Sequence, residues 1–235
     1  MRYNASMQKK KLALFDIDDT LYKGPSTFHF AKYLVEKNVI EVDVLHVIKT
    51  DIEIYRAGII DYSNIITNIL KHFAESLTGK HEKEIYTLAN KFFSEDDNYY
   101  YDFTKSLLEV LHTEYDLYLV SSAPFFIAQA IMDFFDCYIK GCYGTEYAVK
   151  DHVFLGDIAT QMDKENITKE LLTLYGFSDS FAFGDSIDDI KMLKHVQNPI
   201  CFNPKEDMKE HAQQQSWKIA TEENIVDEVS KLLKL

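Results

Sequence analysis

The chain has 235 residues, 46% of them hydrophobic and 14% aromatic, which is enough to bury one large core or a core with a smaller accessory domain. Its formal net charge of −13 predicts repulsion from nucleic acid and from anionic membrane surfaces, so we expect neither as a partner. No stretch approaches the roughly 20 apolar residues of a membrane-spanning helix. The basic cluster at residues 9–11 is followed by too short an apolar run for a signal peptide.

The chain contains three cysteines, Cys137, Cys142 and Cys201, with no C-x-x-C spacing between them. We interpret them as reduced thiols of the core, since an odd number without metal-ligand spacing favours neither a disulfide framework nor a zinc site. Together with the missing leader, they predict a cytoplasmic protein. The sequence leaves the oligomeric state open.

Short apolar runs, typical of parallel strands that are covered on both faces, recur along the chain. They occupy residues 12–15, 117–120, 137–139, 181–183 and 200–202. Helical stripes at 126–134 and 167–175 lie between the later runs. This alternation predicts an α/β fold with a doubly wound parallel sheet of Rossmann-like type.

The segment between the first two predicted strands holds helical periodicity only. Its apolar stripes occupy residues 28–35, 45–55, 62–77 and 85–93. Asn38, Gly58 and Gly79 are plausible breaks between these helices. The pattern predicts a small helical bundle.

We predict that this all-α unit spans residues 23–99 and is inserted into an α/β core formed by residues 1–22 and 100–235. An insertion after the first strand emerges beside the carboxyl ends of the strands, where ligands bind in open α/β sheets. The helical unit is therefore predicted to cover the site as a lid.

Polar residues follow the predicted strands where each strand ends. Asp16 and Asp18 follow the first run, within the sequence D-I-D-D-T, and Ser121 and Ser122 follow the second. The sequence G-D-S-I-D-D at 184–189 follows the run at 181–183. Lys164 begins a helical stripe after a region at 156–163 that resembles a turn. The carboxyl ends of parallel strands share one edge, so these groups are expected to meet there.

These residue types suit phosphoryl transfer. One carboxylate can act as a covalent nucleophile, and a second can protonate the leaving oxygen and then activate water. Serine hydroxyls and a lysine ammonium can hold phosphate oxygens. Asp16 and Asp185 offer the oxygen ligands that Mg²⁺ prefers.

With these four motifs in this order, the chain resembles the haloacid dehalogenase superfamily, and within it the phosphoserine phosphatase-like branch with a helical cap. The resemblance implies that Asp16 is the nucleophile and a metal ligand. It implies that Asp18 is the general acid/base, with its backbone carbonyl on the metal, and that Asp185 is a further metal ligand.

The resemblance also implies that Ser121, Ser122 and Lys164 bind phosphate, and that Asp189 orients metal-bound water or Lys164. Lys169 competes with Lys164 for the lysine role, but Lys164 lies at the more usual distance from the last motif. Asp188 is a further candidate in that motif.

The chain departs from the phosphoserine phosphatase pattern at the cap entrance. Phosphoserine phosphatases share a Glu that lies nine residues after the nucleophile and binds the amino group of the substrate. In this sequence, that position is Pro25. Arg2 and Arg56 are the only arginines, and Arg56 is a candidate to read a substrate carboxylate, with a surface position as the simpler interpretation.

We therefore predict a Mg²⁺-dependent phosphatase that hydrolyses a phosphomonoester through an aspartyl phosphate on Asp16. A phosphorylated small molecule is the expected substrate, and a phosphoprotein is the second option. Three alternatives stay open: a phosphomutase, a protein phosphatase acting on phosphotyrosine or phosphoserine, and a catalytically silent Mg²⁺-binding interaction module.

Overall fold

A computed structural model describes residues 10–95 and 97–234. In this range, the strands form a seven-stranded sheet of order β4-β3-β2-β1-β5-β6-β7. The strands are β1 (Lys11–Phe15), β2 (Tyr115–Pro124), β3 (Ile139–Lys150), β4 (Val153–Thr160), β5 (Phe181–Gly184), β6 (Asn198–Phe202) and β7 (Lys218–Ala220). All neighbours pair in parallel except β3 and β4, which form an antiparallel hairpin at one edge. The predicted fold class is confirmed.

The helices cover both faces of this sheet. They are α1 (Ser26–Glu36), α2 (Asp43–Arg56), α3 (Tyr62–Ser76), α4 (Glu82–Glu95), α5 (Thr104–His112), α6 (Phe125–Phe134), α7 (Lys164–Tyr175), α8 (Ile190–Leu193), α9 (Glu206–Gln214) and α10 (Ile225–Leu233). None of the helices within residues 10–95 and 97–234 combines the length and apolar character needed to cross a bilayer.

Strand β1 shows why the sheet carries helices on both sides. Its alternate residues separate into two apolar clusters: Ala13 and Phe15 join one, and Leu12 and Leu14 join the other. All four are at most 1% exposed, because β1 lies between β2 and β5 in the centre of the sheet. A strand buried on both faces reads as a continuous apolar run, and this explains the pattern at 12–15.

Helices α1 to α4, with the loops that join them, lie between β1 and β2, as the periodicity predicts, and are called the helical insertion below. Asn38, Gly58 and Gly79 all adopt positive φ angles, of 57°, 72° and 78°, at the ends of these helices. The predicted breaks are therefore confirmed. The assignment of residues 23–99 to a separate cap domain stays a prediction.

Three expectations need correction. The run at 137–139 is not a strand of its own, since β3 begins at Ile139 and continues to Lys150. The region at 156–163 lies mostly in β4 rather than in a turn. Of the three cysteines, only Cys201 is buried; Cys142 is half-buried and Cys137 is exposed, so Cys137 is not a core thiol.

The β3–β4 hairpin extends from the sheet to the helical insertion. The Gly79 N–H donates to the Phe154 carbonyl at 2.9 Å, and the Phe154 N–H donates to the Lys80 carbonyl at 3.0 Å. The Tyr147 hydroxyl donates to the Leu70 carbonyl of α3 at 2.8 Å. The hairpin thus ties the insertion to the sheet on the side away from β1.

Candidate active site

A cavity opens at the carboxyl ends of β1, β2 and β5, the edge at which ligands bind in open α/β sheets. Its lining includes most of the residues predicted from the motifs: Asp16, Asp18, Ser121, Ser122, Lys164 and Asp188. Asp189 contacts Lys164 of this group at 2.6 Å, and Asp185 offers a carboxylate oxygen within 4.8 Å of Asp16. The structure therefore brings all the predicted site residues together.

Lys164 lies at the centre of the carboxylates. It is the first residue of α7, which Asp163 caps by accepting the Asn166 N–H at 3.1 Å. Its Nζ lies 2.8 Å from Asp16 Oδ1 and 2.6 Å from Asp189 Oδ1. Lys164 is 3% exposed. Burial alone disfavours the ammonium, but the carboxylates around it raise the pKa of Lys164 well above its usual value, so it stays charged.

Lys169, the competing candidate, lies elsewhere. Its ammonium group pairs with Glu165 at 2.6 Å on the surface of α7, and its side chain is 52% exposed. The structure thus places Lys164, and not Lys169, against Asp16.

Asp189 holds the loop after β5 in shape. Its Oδ2 accepts the Asp185 N–H at 3.1 Å, and the Ser186 N–H and hydroxyl at 2.9 Å each. Its Oδ1 accepts from Lys164. A Cβ on Gly184 would lie 2.4 Å from the Asp189 carboxyl carbon, so glycine is needed there. The spacing of the last motif thus places Asp189 so that it positions Lys164. Both carboxylate oxygens of Asp189 already accept hydrogen bonds.

Asp185 is a buried carboxylate with few polar partners among the described residues. It is 2% exposed, and its Oδ2 has no well-aligned hydrogen bond within the described residues, although Lys205 Nζ lies 3.0 Å away. Burial and the neighbouring Asp189 carboxylate raise the pKa of Asp185 to about 7.

The residues of this edge fit a divalent cation. Asp16, Asp185 and Asp189 each offer an oxygen within 4.8 Å of the others, and all three are buried. They share the ammonium groups of Lys164 and Lys205, so carboxylates outnumber the cations that contact them. A hard ion with oxygen ligands and retained waters, such as Mg²⁺, suits this set. Since Asp189 is already engaged, Asp16 and Asp185 are the better candidates for ligands.

Asp18 faces the same cavity from the turn that follows β1. Its Oδ1 accepts the N–H of Ser26, the first residue of α1, at 3.0 Å. Burial raises the pKa of Asp18 to about 6, which brings the carboxyl closer to the range in which it can both give and accept a proton. Asp18 is thus linked to the start of the helical insertion.

The two serines have different partners. Ser121 is 2% exposed, and its Oγ accepts the Ala123 N–H at 3.3 Å, so its hydroxyl hydrogen can be donated into the cavity. Ser122 Oγ donates to Asp188 Oδ2 at 2.9 Å. Asp188 also lies 2.7 Å from Lys191 Nζ and 3.7 Å from Lys164 Nζ. Burial opposes ionisation of Asp188, but these ammonium groups hold its pKa below its usual value.

Lys205 was not predicted from the sequence. It follows β6, and its Nζ lies 3.0 Å from Asp185 Oδ2 and 3.5 Å from Asp19 Oδ2. It also lies 5.7 Å from the centre of the Tyr62 ring, at the start of α3. The only signal was its place just after a predicted strand, in the sequence C-F-N-P-K. Arg56 is exposed and does not line the cavity, and Arg2 lies outside the described residues.

The profile of the haloacid dehalogenase-like hydrolase family matches residues 13–194. The chain therefore belongs to this family. It is 24% identical over 216 residues to phosphoserine phosphatase SerB1 of Mycobacterium tuberculosis, covering 88% of this chain and 69% of that protein. It is also 24% identical over 228 residues to the histidinol-phosphatase of Neisseria meningitidis serogroup C, covering 89% of this chain and 98% of that protein.

The fold is similar to that of solved phosphoserine phosphatases. One such structure, a phospho-aspartyl intermediate analogue, superposes with a TM-score of 0.64 at 20% identity, covering 96% of this chain and 99% of that one. The predicted membership of the phosphoserine phosphatase-like branch is confirmed, and so is the prediction of a phosphatase.

Proposed function

We propose that this chain is a Mg²⁺-dependent phosphomonoesterase that works through an aspartyl phosphate on Asp16. The observation that carries the proposal is the buried Lys164 ammonium, 2.8 Å from Asp16, in a cavity that Asp18 also lines. A nucleophile, an acid/base group and a phosphate-binding cation are thus within reach of one substrate phosphate. Two relatives of this chain are phosphatases, and a structural neighbour was solved as an analogue of the phospho-aspartyl intermediate. Both similarities support this chemistry.

In the proposed reaction, a carboxylate oxygen of Asp16 attacks phosphorus, and the bond from phosphorus to the ester oxygen breaks. Asp18 gives its proton to the leaving oxygen, which departs as an alcohol. Asp18 then takes a proton from a water molecule that attacks the phosphorus of the aspartyl phosphate. The bond from phosphorus to the Asp16 oxygen breaks, inorganic phosphate leaves, and both carboxyl groups return to their starting states.

The other residues bind and orient the phosphoryl group. The ammonium of Lys164 and the hydroxyl of Ser121 are proposed to hold its oxygens, with Ser122 as a further donor. Asp189 positions Lys164 through the contact at 2.6 Å. Mg²⁺, when bound by Asp16, Asp185 and the Asp18 carbonyl, would supply positive charge that offsets the phosphate oxygens and the crowded carboxylates.

A small molecule is the substrate that this cavity favours. Tyr62 of α3 lines the cavity together with Ser186, and its ring centre lies 5.7 Å from Lys205 Nζ, so the helical insertion reaches the core directly above the site. A protein-borne phosphate would have to enter past these contacts. We therefore propose that the enzyme acts on a phosphorylated small molecule rather than on a phosphoprotein. The cytoplasmic location predicted from the sequence is part of the same proposal.

The first test is turnover of para-nitrophenyl phosphate and acetyl phosphate. We expect phosphate release from both in Mg²⁺, loss of release in EDTA, and recovery when Mg²⁺ is restored, because the buried carboxylates need a cation to accept a dianionic phosphate. Turnover of both compounds that persists unchanged in EDTA would contradict the metal assignment. If neither compound is hydrolysed in Mg²⁺, the catalytically silent binding module is favoured.

Replacing Asp18 by Asn tests the acid/base role. We expect turnover of an alkyl phosphate to fall by about 10²–10⁴-fold, because a poor leaving oxygen needs a proton. The loss should be smaller for para-nitrophenyl phosphate, whose leaving group departs as a stable anion. The measurement is kcat/KM for both substrates in the variant and in the parent protein, because kcat also contains the hydrolysis of the aspartyl phosphate, which is the same for both substrates. Equal losses for both leaving groups would argue against Asp18 as the acid.

A further inference from the structure

We infer that the substrate is the phosphate ester of an apolar, uncharged alcohol or phenol. The inference rests on the proposed function and concerns the part of the cavity that would hold the leaving group. The wall that the helical insertion contributes is built from six large apolar side chains: Phe28, Ile48, Ile52, Ile66, Ile69 and Leu70. They come from α1, α2 and α3, so three separate helices converge on the same apolar surface.

The charged residues of the lining are confined to the opposite side of the cavity. Asp16, Asp18, Lys164 and Asp188 all lie at the sheet edge, where the phosphate is proposed to bind. The cavity is thus divided into a charged half that fits a phosphoryl group and an apolar half that faces it. A phosphomonoester with an apolar leaving group has the same division.

Charged side chains of the insertion point elsewhere. Lys49, Arg56 and Lys71 on α2 and α3 are exposed, and none of them lines the cavity. Asp51 of α2 is buried, but its Oδ2 lies 3.2 Å from Nε2 of His72 on α3. At the entrance, Pro25 contributes a ring without a charge. The insertion also contributes the Thr27 and Tyr62 side chains, which are polar but uncharged. Within the described residues of the lining, the insertion therefore offers no ion to pair with a charged leaving group.

This lining discriminates strongly against amino-acid phosphates. A substrate such as O-phosphoserine would bring an ammonium and a carboxylate against aliphatic carbon, and an unpaired charge is costly to bury. An alkyl or aryl group instead gains from leaving water. Each added methylene that fits the cavity is expected to raise kcat/KM by about fourfold.

The test is the kcat/KM of a series of methyl, propyl and hexyl phosphates, with O-phosphoserine as the charged compound that has the same three-carbon chain as propyl phosphate. We expect a rise along the series until the cavity is full, and phosphoserine at least about tenfold below propyl phosphate. Equal or better turnover of phosphoserine, or no dependence on chain length, would overturn the inference.

Acetyl phosphate separates this inference from the proposed function, because it needs little from the apolar wall. If acetyl phosphate is hydrolysed and the alkyl series shows no preference, the inference fails and the proposed function stands. If nothing is hydrolysed, calorimetric titration of the same phosphates with Mg²⁺ still measures the preference as affinity. Tighter binding of hexyl phosphate than of phosphoserine would support the inference, and the reverse would overturn it.

A pair of matched variants locates the preference. Ile66→Ala removes part of the wall, and we expect the ratio of hexyl to methyl phosphate turnover, as kcat/KM, to fall by about tenfold. Ile59→Ala removes the same atoms from a side chain of the insertion that is 73% exposed, and the ratio should not change. Ile69→Ala serves as a second wall variant if Ile66→Ala does not fold. Equal ratios in wall and control variants would contradict the assignment.

Discussion

Replacing Asp16 by Asn is expected to abolish turnover while the fold is retained. An amide is a very poor nucleophile for phosphorus, so kcat should fall by more than about 10⁴-fold. The amide has nearly the same shape and can still accept from Lys164, which lies 2.8 Å from Asp16 Oδ1. The measurement is the rate of phosphate release from para-nitrophenyl phosphate, with circular dichroism and thermal unfolding to verify the fold.

A matched control for this variant is Asp102→Asn. Its side chain is fully exposed, and it forms a salt bridge to Lys23 at 3.5 Å. Surface pairs of this kind contribute little, so activity and unfolding temperature should stay close to those of the parent. Turnover in Asp16→Asn that approaches the turnover of Asp102→Asn would refute the nucleophile assignment.

Replacing Lys164 by Met is expected to cost both stability and activity. Lys164 is 3% exposed and contacts Asp16 and Asp189 at 2.8 and 2.6 Å. Removing one partner from a buried ionic group leaves uncompensated charge, which typically costs about 3–5 kcal/mol. We expect a loss of that size in the free energy of unfolding, measured by urea denaturation without added divalent cation. Turnover should be lost as well, since the phosphate loses its fixed cation.

Lys169→Met on the same helix provides the comparison. Its pair with Glu165 is on the surface, where such contacts contribute at most about 1 kcal/mol. Its stability and turnover should therefore remain near those of the parent protein. If Lys169→Met proved as damaging as Lys164→Met, the choice between the two lysines would be wrong.

Much of the site could be predicted because its residues follow buried strands directly. Strand β1 is central and covered on both faces, so its apolar run is continuous and Asp16 marks its end. The same logic placed Asp185 after β5. Ser121 was predicted to follow a strand, but it lies within β2, which continues to Pro124. Lys164 was the exception, because it is the first residue of α7 and does not directly follow a strand, and only the resemblance to a known family selected it over Lys169.

Other parts of the structure depend on contacts that local patterns do not encode. Lys205 reaches Asp185 because β6 pairs with β5, and neighbouring order in a sheet is a property of topology. The β3–β4 hairpin is half exposed and docks on the insertion, so its apolar pattern is weak. Gly156 resembles a turn residue in the sequence, but in the structure it gives room for Thr78, whose Oγ1 would lie 2.1 Å from a Cβ at that position.

The apolar wall of the cavity could not be predicted from the sequence for a related reason. Ile65, Ile66, Ile69 and Leu70 all belong to the apolar stripe of α3, which predicts a helix that packs on its neighbours. In the structure, Ile65 is 4% exposed and joins the packed interior, whereas Ile66 and Ile69 are only half-buried and line the cavity. Periodicity alone does not divide one wide stripe into a packing face and a substrate-binding face.

The central claim is a covalent phosphoryl group on Asp16, and chemical trapping tests it most directly. The enzyme is mixed with substrate and Mg²⁺, quenched in acid within one turnover, and reduced with borohydride, which converts an aspartyl phosphate to homoserine. Peptide mass spectrometry then locates the product. We predict homoserine at position 16 in the parent protein and none in Asp16→Asn. Turnover without a trapped residue at position 16, or with the label on another carboxylate, would contradict the mechanism.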